Sequence, residues 1–531
     1  MSSVTKKNAR QRLASGTAVA ELSAVPPARD VLRLIDPQRA VIVLIAVGAL
    51  IRIAMAGAFG FGIDESYSVA NSRFWAWSYV DYPPLHIWLT GAWAWIWHSE
   101  SPFVLRLPFV AFFAGSTWLM FRVTSLVFNR RAGFWAALLF NLAPVFALPD
   151  ASWVLPEGPL AFFLLAGSYV IAKLLFAEVE NSRLFREWLS AGALAGLAML
   201  SKYHGMFLLA GVFVFLLSWT PGRPILATRW PWLGALVALT IFLPVLFWNA
   251  QHGWIGLFFQ SRRVTDSTDL SLMRVVENIG GQAAYLSPWL FVPLAIVWLS
   301  ALAKGVRSPQ TWYFALLASG PILLFTAANI FSRGLPHWTM PGWLFAFPLL
   351  GAEIERSEQR WPRLLVYGTG AAALFLLAAF AVLATQANTG WLTRNLPERW
   401  AQADPTLDLL DWNQLNDTFA KRKLIDRDIS AIGALEWIEA GKLNYAVGRS
   451  IPVLCLCQDP QQFRFLHDAS SFAGRDMLVI DTKRDFARRE ITLGHWFDHL
   501  ERLQPITLSR AGGSGVELVV LRGIGFRPIP R

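Results

Sequence analysis

Residues 40–59 read AVIVLIAVGALIRIAMAGAF, and after Gly60 the chain continues as FGIDESY, residues 61–67. A helix needs about 20 mostly apolar residues to cross a bilayer, so the first stretch predicts a membrane-spanning helix. The second stretch places two carboxyl groups, Asp64 and Glu65, directly after it. Because an arginine inside a span is costly unless it contacts protein, Arg52 is expected to face the protein interior.

The composition agrees with lipid as the solvent for much of the chain. Of 531 residues, 55% are hydrophobic and 16% are charged, whereas soluble domains contain about 25% charged residues. The chain has 26 Trp and 38 Phe, and aromatic rings favour bilayer interfaces. The net charge is +11, but the basic residues lie between apolar runs. We therefore interpret them as topology signals and lipid contacts, and predict no nucleic-acid partner.

The pattern of apolar stretches predicts an α-helical polytopic membrane protein with about 11 transmembrane helices. The candidate spans are residues 40–59, 104–127, 132–149, 159–177, 187–202, 205–220, 231–249, 282–303, 312–330, 338–352 and 364–385. Residues 1–39 are basic and lack a cleavable signal, so they are interpreted as a cytoplasmic tail. Every loop on the side of that tail is then basic, as the positive-inside rule requires. The opposite, outer side receives residues 60–103, 149–158, the region near 202, 249–281, 331–337 and everything after 386.

One apolar stretch is too short for a confident span. Residues 84–97 are interpreted as a juxtamembrane helix in the bilayer interface. Counting them as a span would move Asp150 and Lys202 to the inner side and break the charge pattern.

The C-terminal part, residues 386–531, has ordinary polarity. Strand-like runs at 450–454, 476–480 and 516–520 and helical stretches near 408–422 and 431–442 predict a small soluble α/β domain on the outer, periplasmic side. It has no Gly-rich nucleotide loop, so no nucleotide cofactor is expected. Cys455 and Cys457 are interpreted first as buried thiols and second as a tight disulfide.

The outer loops gather acidic, basic and histidine residues. The acidic ones are Asp64, Glu65, Asp81, Asp150 and Glu157, and the others are Lys202, His252, Arg262, Arg263 and His337. A carboxylate can accept the proton of an attacking hydroxyl. Positive residues on the outer side run against the usual bias and indicate an anionic ligand, for which arginine is well suited when the anion is a phosphate. These groups match sugar transfer from a lipid phosphate, in which the sugar becomes cation-like and the phosphate leaves with negative charge.

Three segments in order carry a family resemblance: Asp64-Glu65-Ser66-Tyr67, then Asp81-Tyr82-Pro83-Pro84-Leu85, then Val104-Leu105-Arg106-Leu107-Pro108. Together they resemble the protein-mannosyltransferase-like branch of the GT-C glycosyltransferases, which includes bacterial aminoarabinose transferases that modify lipid A. The resemblance covers residues 40–385, which it marks as the catalytic transmembrane domain. Residues 386–531 resemble the periplasmic domain of these enzymes only loosely, through Asp411-Trp412 and the stretch from Tyr445 to Pro452.

The resemblance implies a role for each matching position. Asp64 would be the catalytic carboxylate, with Glu65 beside it, and Asp150 or Glu157 would be the acidic residue of the second loop. Lys202 would contact the donor phosphate, and His337 would close the donor site. His252 and Arg262 or Arg263 would provide further phosphate or metal contacts.

The sequence departs from the aminoarabinose branch at one motif. That branch has a Glu-Lys pair before its double proline, where this chain has Asp81-Tyr82, and we group Tyr82 with the phosphate contacts. The change leaves the sugar and the acceptor open. Some members of the family hold a divalent metal, for which Asp81 and His252 are the candidate ligands here.

The main expectation is a bacterial inner-membrane glycosyltransferase. It would move a sugar from a polyprenyl-phosphate donor to lipid A, lipopolysaccharide core or another envelope glycan. One alternative keeps the donor and makes protein Ser or Thr the acceptor. The other is a transporter or flippase for a lipid-linked sugar, which would be expected to carry its site at mid-membrane, commonly within inverted repeats. No such repeat is present in the sequence.

Overall fold

The computed structural model describes residues 36–265, 270–357, 360, 362–511 and 515–528. The predicted cytoplasmic tail, residues 1–39, therefore lies almost entirely outside the described residues. Long helices form the part of the chain up to Thr389, and a mixed helix and sheet layer forms the rest.

The first set of helices runs to the end of the fourth long apolar helix. They are α1 (Pro37–Ala56), α2 (Ile63–Ser72), α3 (Leu85–Trp97), α4 (Pro102–Val127), α5 (Arg130–Leu142), α6 (Pro144–Ala147), α7 (Pro149–Ser152), α8 (Glu157–Phe176), α9 (Asn181–Ser201), α10 (Met206–Ser218), α11 (Arg223–Leu226) and α12 (Trp230–Gln251). The second set is α13 (Ile255–Thr265), α14 (Leu272–Leu286), α15 (Pro288–Lys304), α16 (Pro309–Ala328), α17 (Met340–Trp343), α18 (Phe347–Ser357) and α19 (Pro362–Thr389).

The structure supports a multi-pass membrane protein but does not confirm a count of 11 spans. Among the described residues, seven helices are long and apolar enough to cross a membrane: α1, α4, α8, α12, α15, α16 and α19. The number rises to nine if two sharply bent helix pairs each count as one span. The predicted span 187–202 lies in α9, whose first turns are polar, and the predicted span 338–352 is divided into short helices near Pro341 and Pro348.

Glycines set the close packing of two helices in the membrane part. A Cβ atom added to Gly192 of α9 would lie 2.0 Å from the carbonyl oxygen of Gly234 in α12. Small residues of this kind let helix backbones approach closely within a membrane.

Because α8 and α9 run in opposite directions, their ends near Glu157 and Lys202 lie together, and Arg183 lies near the opposite end of α9.

The C-terminal part is built on a six-stranded mixed sheet. Its strands are β1 (Ile429–Ala434), β2 (Val453–Cys455), β3 (Asp476–Thr482), β4 (Phe497–Arg502), β5 (Ile506–Ser509) and β6 (Gly515–Phe526). The order is β2-β1-β3-β6-β4, with β5 also paired to β6; β1 is parallel to both β2 and β3, and β6 is antiparallel to its neighbours. Its helices are α20 (Glu398–Ala401), α21 (Gln414–Arg422), α22 (Trp437–Val447) and α23 (Lys483–Arg489).

Two predictions for this part need correction. The helix expected over 431–442 begins only at Trp437, because the short apolar run Ile429–Ala434 forms β1, a strand with neighbours on both sides. The first interpretation of the cysteines as free thiols is wrong, since Cys455 and Cys457 form a disulfide with a Cα–Cα distance of 5.5 Å. Cys455 ends β2 and the chain leaves the sheet there, which lets the two side chains turn towards each other.

The sheet part packs directly on the membrane part through α2 and α22. Tyr67 and Ala70 of α2 belong to the same buried apolar cluster as Leu443 and Ala446 of α22. Gly441 permits this contact, because a Cβ atom there would lie 3.2 Å from the Tyr67 backbone. The helix that carries Asp64 is therefore held between the two parts of the chain.

Candidate active site

A cavity of about 410 Å³ lies where the loops of the membrane part meet the C-terminal part. Its polar lining is Asp64, Tyr67, Asp81, Tyr82, Lys202, Tyr203, His204, Gln260, Arg263, His337 and Gln461. Residues far apart in the sequence thus line one cavity, and they include six of the eleven predicted catalytic, phosphate-binding and metal positions: Asp64, Asp81, Tyr82, Lys202, Arg263 and His337.

The turn before Asp64 is fixed by a buried ion pair. The five N–H groups of Arg106 donate five hydrogen bonds, two to Glu65 (2.9 and 2.7 Å) and three to the carbonyl oxygens of Ala56, Phe59 and Gly60. Both side chains of the pair are only 1% exposed. The carbonyl groups left free after α1 are therefore satisfied by one guanidinium group, which holds the turn rigidly.

Glu65 does not line the cavity. Its oxygens also accept hydrogen bonds from the backbone N–H groups of Val154 (3.0 Å) and Gly62 (2.9 Å). All of its acceptor capacity thus goes to holding the turn, the start of α2 and the loop after α7. The structure assigns Glu65 a positioning role, next to the carboxylate that does face the cavity.

The Asp64 side chain is exposed to the cavity, but the surrounding protein keeps it away from bulk water. Removal from bulk water, followed by the charge of Glu157, raises the pKa of Asp64 to about 6, against the opposing effect of Arg263 and Lys202. Asp64 also lies in the first turn of α2, where the helix dipole favours negative charge. A carboxylate with a pKa close to neutral is suited to accept a proton during a reaction.

Lys202 is the basic residue from the turn after α9. Its Nζ donates to Glu157 Oε1 at 2.5 Å, and the two side chains are 11% and 16% exposed. Asp150 is buried and does not line the cavity. Of the two acidic residues predicted for this loop, Glu157 forms an ion pair with Lys202, and Asp150 lies away from the cavity lining.

The two neighbouring arginines of α13 differ in their placement. Arg263 lines the cavity, with its guanidinium group 4.6 Å from the ring centroid of Phe259 and 5.8 Å from that of Trp338. Arg262 is exposed and does not line it. His337 lines the cavity, and burial lowers its pKa to about 4, so near neutral pH it can donate a hydrogen bond but carries no charge.

Asp81 lies on the wall of the cavity after a rigid turn. It is 3% exposed, and burial raises its pKa to about 7. Its neighbour Tyr82 also lines the cavity, with its ring edge-on to His86 at 5.3 Å between ring centroids. The two prolines that follow them restrict the backbone and keep both side chains in place.

The predicted metal ligands are not brought together around the cavity. His252 does not line it; its ring stacks on Trp248 at 4.2 Å between ring centroids, and Nδ1 lies 2.8 Å from the Trp248 carbonyl oxygen. Within the described ranges, no group of three or more His, Cys, Asp or Glu residues is placed to hold a metal ion. The hypothesis of a metal ion held by Asp81 and His252 stays a prediction, and the reaction proposed for this site uses no metal.

Several residues of the site were not predicted from the sequence. Trp437, Ile438 and Gln461 of the C-terminal part line the cavity. Lys442, buried in α22, donates to the carbonyl oxygen of Phe61 and, at 2.5 Å, to that of Asp408. Lys442 could not be linked to Phe61 from the sequence, because the two residues are 381 positions apart.

One wall of the cavity is apolar. Met206, Phe207, Leu324, Phe325 and Leu335 come from α10, α16 and the loop after α16. Met206 is 53% exposed and Leu324 is 49% exposed. Leu324 lies in α16, a candidate membrane span, and Met206 begins α10, which belongs to one of the two bent helix pairs. Charged groups on one wall and an apolar surface on the other match an amphiphilic ligand with a lipid chain and an anionic head.

Comparisons with known proteins agree with this arrangement. A family model described as dolichyl-phosphate-mannose-protein mannosyltransferase matches residues 81–248. The chain is 22% identical over 286 residues to the lipid A galacturonosyltransferase RgtD of Rhizobium johnstonii. That alignment covers 52% of this chain and 58% of RgtD, so the chain spans less than two thirds of the relative's length.

Solved structures extend the likeness to nearly the whole chain. ArnT from Cupriavidus metallidurans bound to undecaprenyl phosphate matches with a TM-score of 0.58 and 15% identity, over 90% of this chain and 97% of that one. The apo state of ArnT matches with a TM-score of 0.59 and 13% identity over the same shares. At these identities the likeness is one of fold.

Taken together, these matches support the resemblance to the GT-C glycosyltransferases. The family model includes the second and third motif segments, Asp81–Leu85 and Val104–Pro108, and begins after the first, Asp64–Tyr67. The roles of individual residues do not follow from the comparisons and rest on the geometry above.

Proposed function

We propose that this chain transfers a sugar from a polyprenyl-phosphate donor to an envelope lipid or glycan, with lipid A or lipopolysaccharide core as the acceptor. The observation that carries the proposal is one cavity lined by a carboxylate, Asp64, by two cations, Lys202 and Arg263, and by an apolar wall. Further support comes from the names of two similar proteins, a lipid A galacturonosyltransferase and an ArnT bound to undecaprenyl phosphate.

In the proposed reaction the acceptor hydroxyl oxygen attacks the anomeric carbon of the donor. The bond from that carbon to the phosphate oxygen breaks, and the phosphate leaves with the electron pair. Asp64 accepts the proton of the attacking hydroxyl, since its pKa of about 6 leaves it ionised near neutral pH. Its basicity is higher than that of an exposed carboxylate, which favours the transfer.

The leaving phosphate would be stabilised by the basic side of the cavity. Lys202 and Arg263 supply positive charge, and neutral His337 supplies a hydrogen bond. Glu157 holds the Lys202 ammonium in place at 2.5 Å until the donor phosphate binds. The apolar wall from Met206 to Leu335 would hold the first units of the polyprenyl chain.

The proposal places the protein in a bacterial inner membrane. Residues 40–385 would form the catalytic membrane domain, and residues 386–531 a periplasmic domain that completes the cavity. Lipid-linked sugars are presented without nucleotides on that side of the membrane.

The test is mass spectrometry of envelope lipids and glycans from a deletion strain, with and without rescue. Wild type should restore one sugar mass on lipid A or core, and Asp64→Asn should not restore it at equal expression. Asp417→Asn, the same substitution at an exposed position of α21, is the matched control and should behave as wild type.

Other outcomes would redirect or remove the proposal. Full rescue by Asp64→Asn removes Asp64 from the mechanism. A sugar found in protease-sensitive product moves the acceptor to protein, which the description of the matching family model would favour. No change in either product, together with sugar transport across vesicles, would contradict a transferase.

A further inference from the structure

A second cavity, of about 290 Å³, lies beside the first one. It is formed by the start of α2, the chain after α19, and the C-terminal part at α22, α23 and β6. Nothing in the reaction described above uses it.

The two cavities share a thin wall. Ile63 and Ile438 line both of them. Asp64, the residue after Ile63, faces the first cavity, whereas Glu439, the residue after Ile438, faces the second. A molecule in the second cavity therefore needs to reach past only one layer of side chains to bring a hydroxyl group to Asp64.

The lining of the second cavity is polar and balanced in charge. Four acidic and four basic side chains line it, so their formal charges cancel. Some are already paired, as Lys483 is with Glu517 at 2.7 Å, with side-chain exposures of 49% and 35%. A lining of alternating donors and acceptors without net charge suits sugar hydroxyl groups, which donate and accept, better than it suits a bare phosphate.

A segment that leads to the second cavity exposes large apolar side chains. The chain between α19 and the cavity exposes Trp391, Leu392, Leu396 and Trp400, at 48% to 58%. Exposed tryptophans next to a membrane-spanning helix are typical of the bilayer interface. Gln402, two residues after Trp400, already lines the cavity, so an occupant can remain anchored in the membrane.

We propose that the second cavity binds a sugar unit of the acceptor glycolipid and directs its hydroxyl group over Ile63 to Asp64. This inference rests on the proposed function and adds where the acceptor lies. The donor and the acceptor then occupy separate cavities on either side of Ile63 and Ile438, and the reacting groups meet at that wall.

Kinetics of the purified protein test the proposal. The donor is the polyprenyl-phosphate-sugar fraction, and the acceptor is lipid A purified from the deletion strain. Glu517→Gln should raise the KM for lipid A about tenfold, the effect of losing one charge-assisted hydrogen bond, with kcat and the KM for the donor within about twofold of wild type. Glu501→Gln, an exposed position on neighbouring β4, is the matched control and should leave all three unchanged. An unchanged KM for lipid A, or an equal rise in both KM values, would overturn the assignment.

A second measurement separates this inference from the proposed function. If wild type forms no product, the proposed function fails, and binding alone then decides the cavity. Acetylation of Lys483 is followed by mass spectrometry in detergent micelles with and without lipid A, with exposed Lys421 as the reference lysine. Protection of Lys483 but not Lys421 supports the site, and equal labelling of Lys483 in both samples refutes it.

Discussion

Replacing Glu65 by glutamine should destabilise the protein strongly, although Glu65 does not line the cavity. The carboxylate accepts four hydrogen bonds, two from Arg106 and one each from Gly62 and Val154. A glutamine side chain has one oxygen and one NH₂ group, so its NH₂ group would face two of these donors. Among the described residues, Glu65 provides the one carboxylate that contacts the Arg106 guanidinium, and the substitution would remove its charge.

The size of the effect follows from burial. Removing one partner of a buried ion pair costs about 3–5 kcal/mol, because an uncompensated charge remains out of water. Each buried donor left without an acceptor costs about 1–3 kcal/mol, which is consistent with that range. Glu65→Gln should therefore lower the free energy of unfolding by about 3–5 kcal/mol, and activity should fall as the turn before Asp64 loosens.

The assay is unfolding in mixed micelles titrated with SDS, followed by tryptophan fluorescence. Glu353→Gln is the matched control, since Glu353 pairs with Arg356 at 3.4 Å with both side chains more than half exposed. That change should cost less than about 1 kcal/mol. If both variants lose the same small amount of free energy of unfolding, burial does not make the Glu65–Arg106 pair stabilising, and the reasoning is refuted.

Two further predictions concern the reaction and the helix packing. Because the pKa of Asp64 is raised to about 6 and the ionised form accepts the proton, kcat/KM should rise with pH to a plateau with a midpoint near 6. The midpoint should persist in Asp81→Asn, which removes the neighbouring group with a pKa of about 7; a flat profile from pH 5 to 8 would exclude Asp64 as the base. Gly192→Val should destabilise the protein by at least about 1–3 kcal/mol, because the added atoms meet the Gly234 backbone. Gly368→Val, where no atom lies within 4 Å, should change the midpoint of the SDS titration little, and similar shifts for the two variants would contradict the close contact of α9 and α12.

The membrane class and six of the polar residues that line the cavity were predicted from local pattern. The apolar length of residues 40–59 was enough to predict α1, since a span needs about 20 apolar residues whatever its neighbours are. The alternation of basic and mixed loops predicted that Asp64, Lys202 and His337 would share one face of the membrane, and all three line one cavity. The count of spans was less predictable, because α9 and the segment 338–352 are apolar by pattern but polar or broken at one end.

Which of two adjacent polar residues faces the cavity was decided only by the tertiary structure. Sequence treats Asp64 and Glu65 alike, but α2 turns them in different directions, and only Glu65 meets Arg106. The same holds for Arg262 and Arg263. Successive helical residues point about 100° apart. A sequence motif can therefore indicate a pair of adjacent residues, but the packing of the helix decides which of the two faces the cavity. The sequence by itself thus determined the membrane environment and the kinds of side chain available to the site. Tertiary contacts between residues hundreds of positions apart decided which of these side chains pair with each other and which line the cavity.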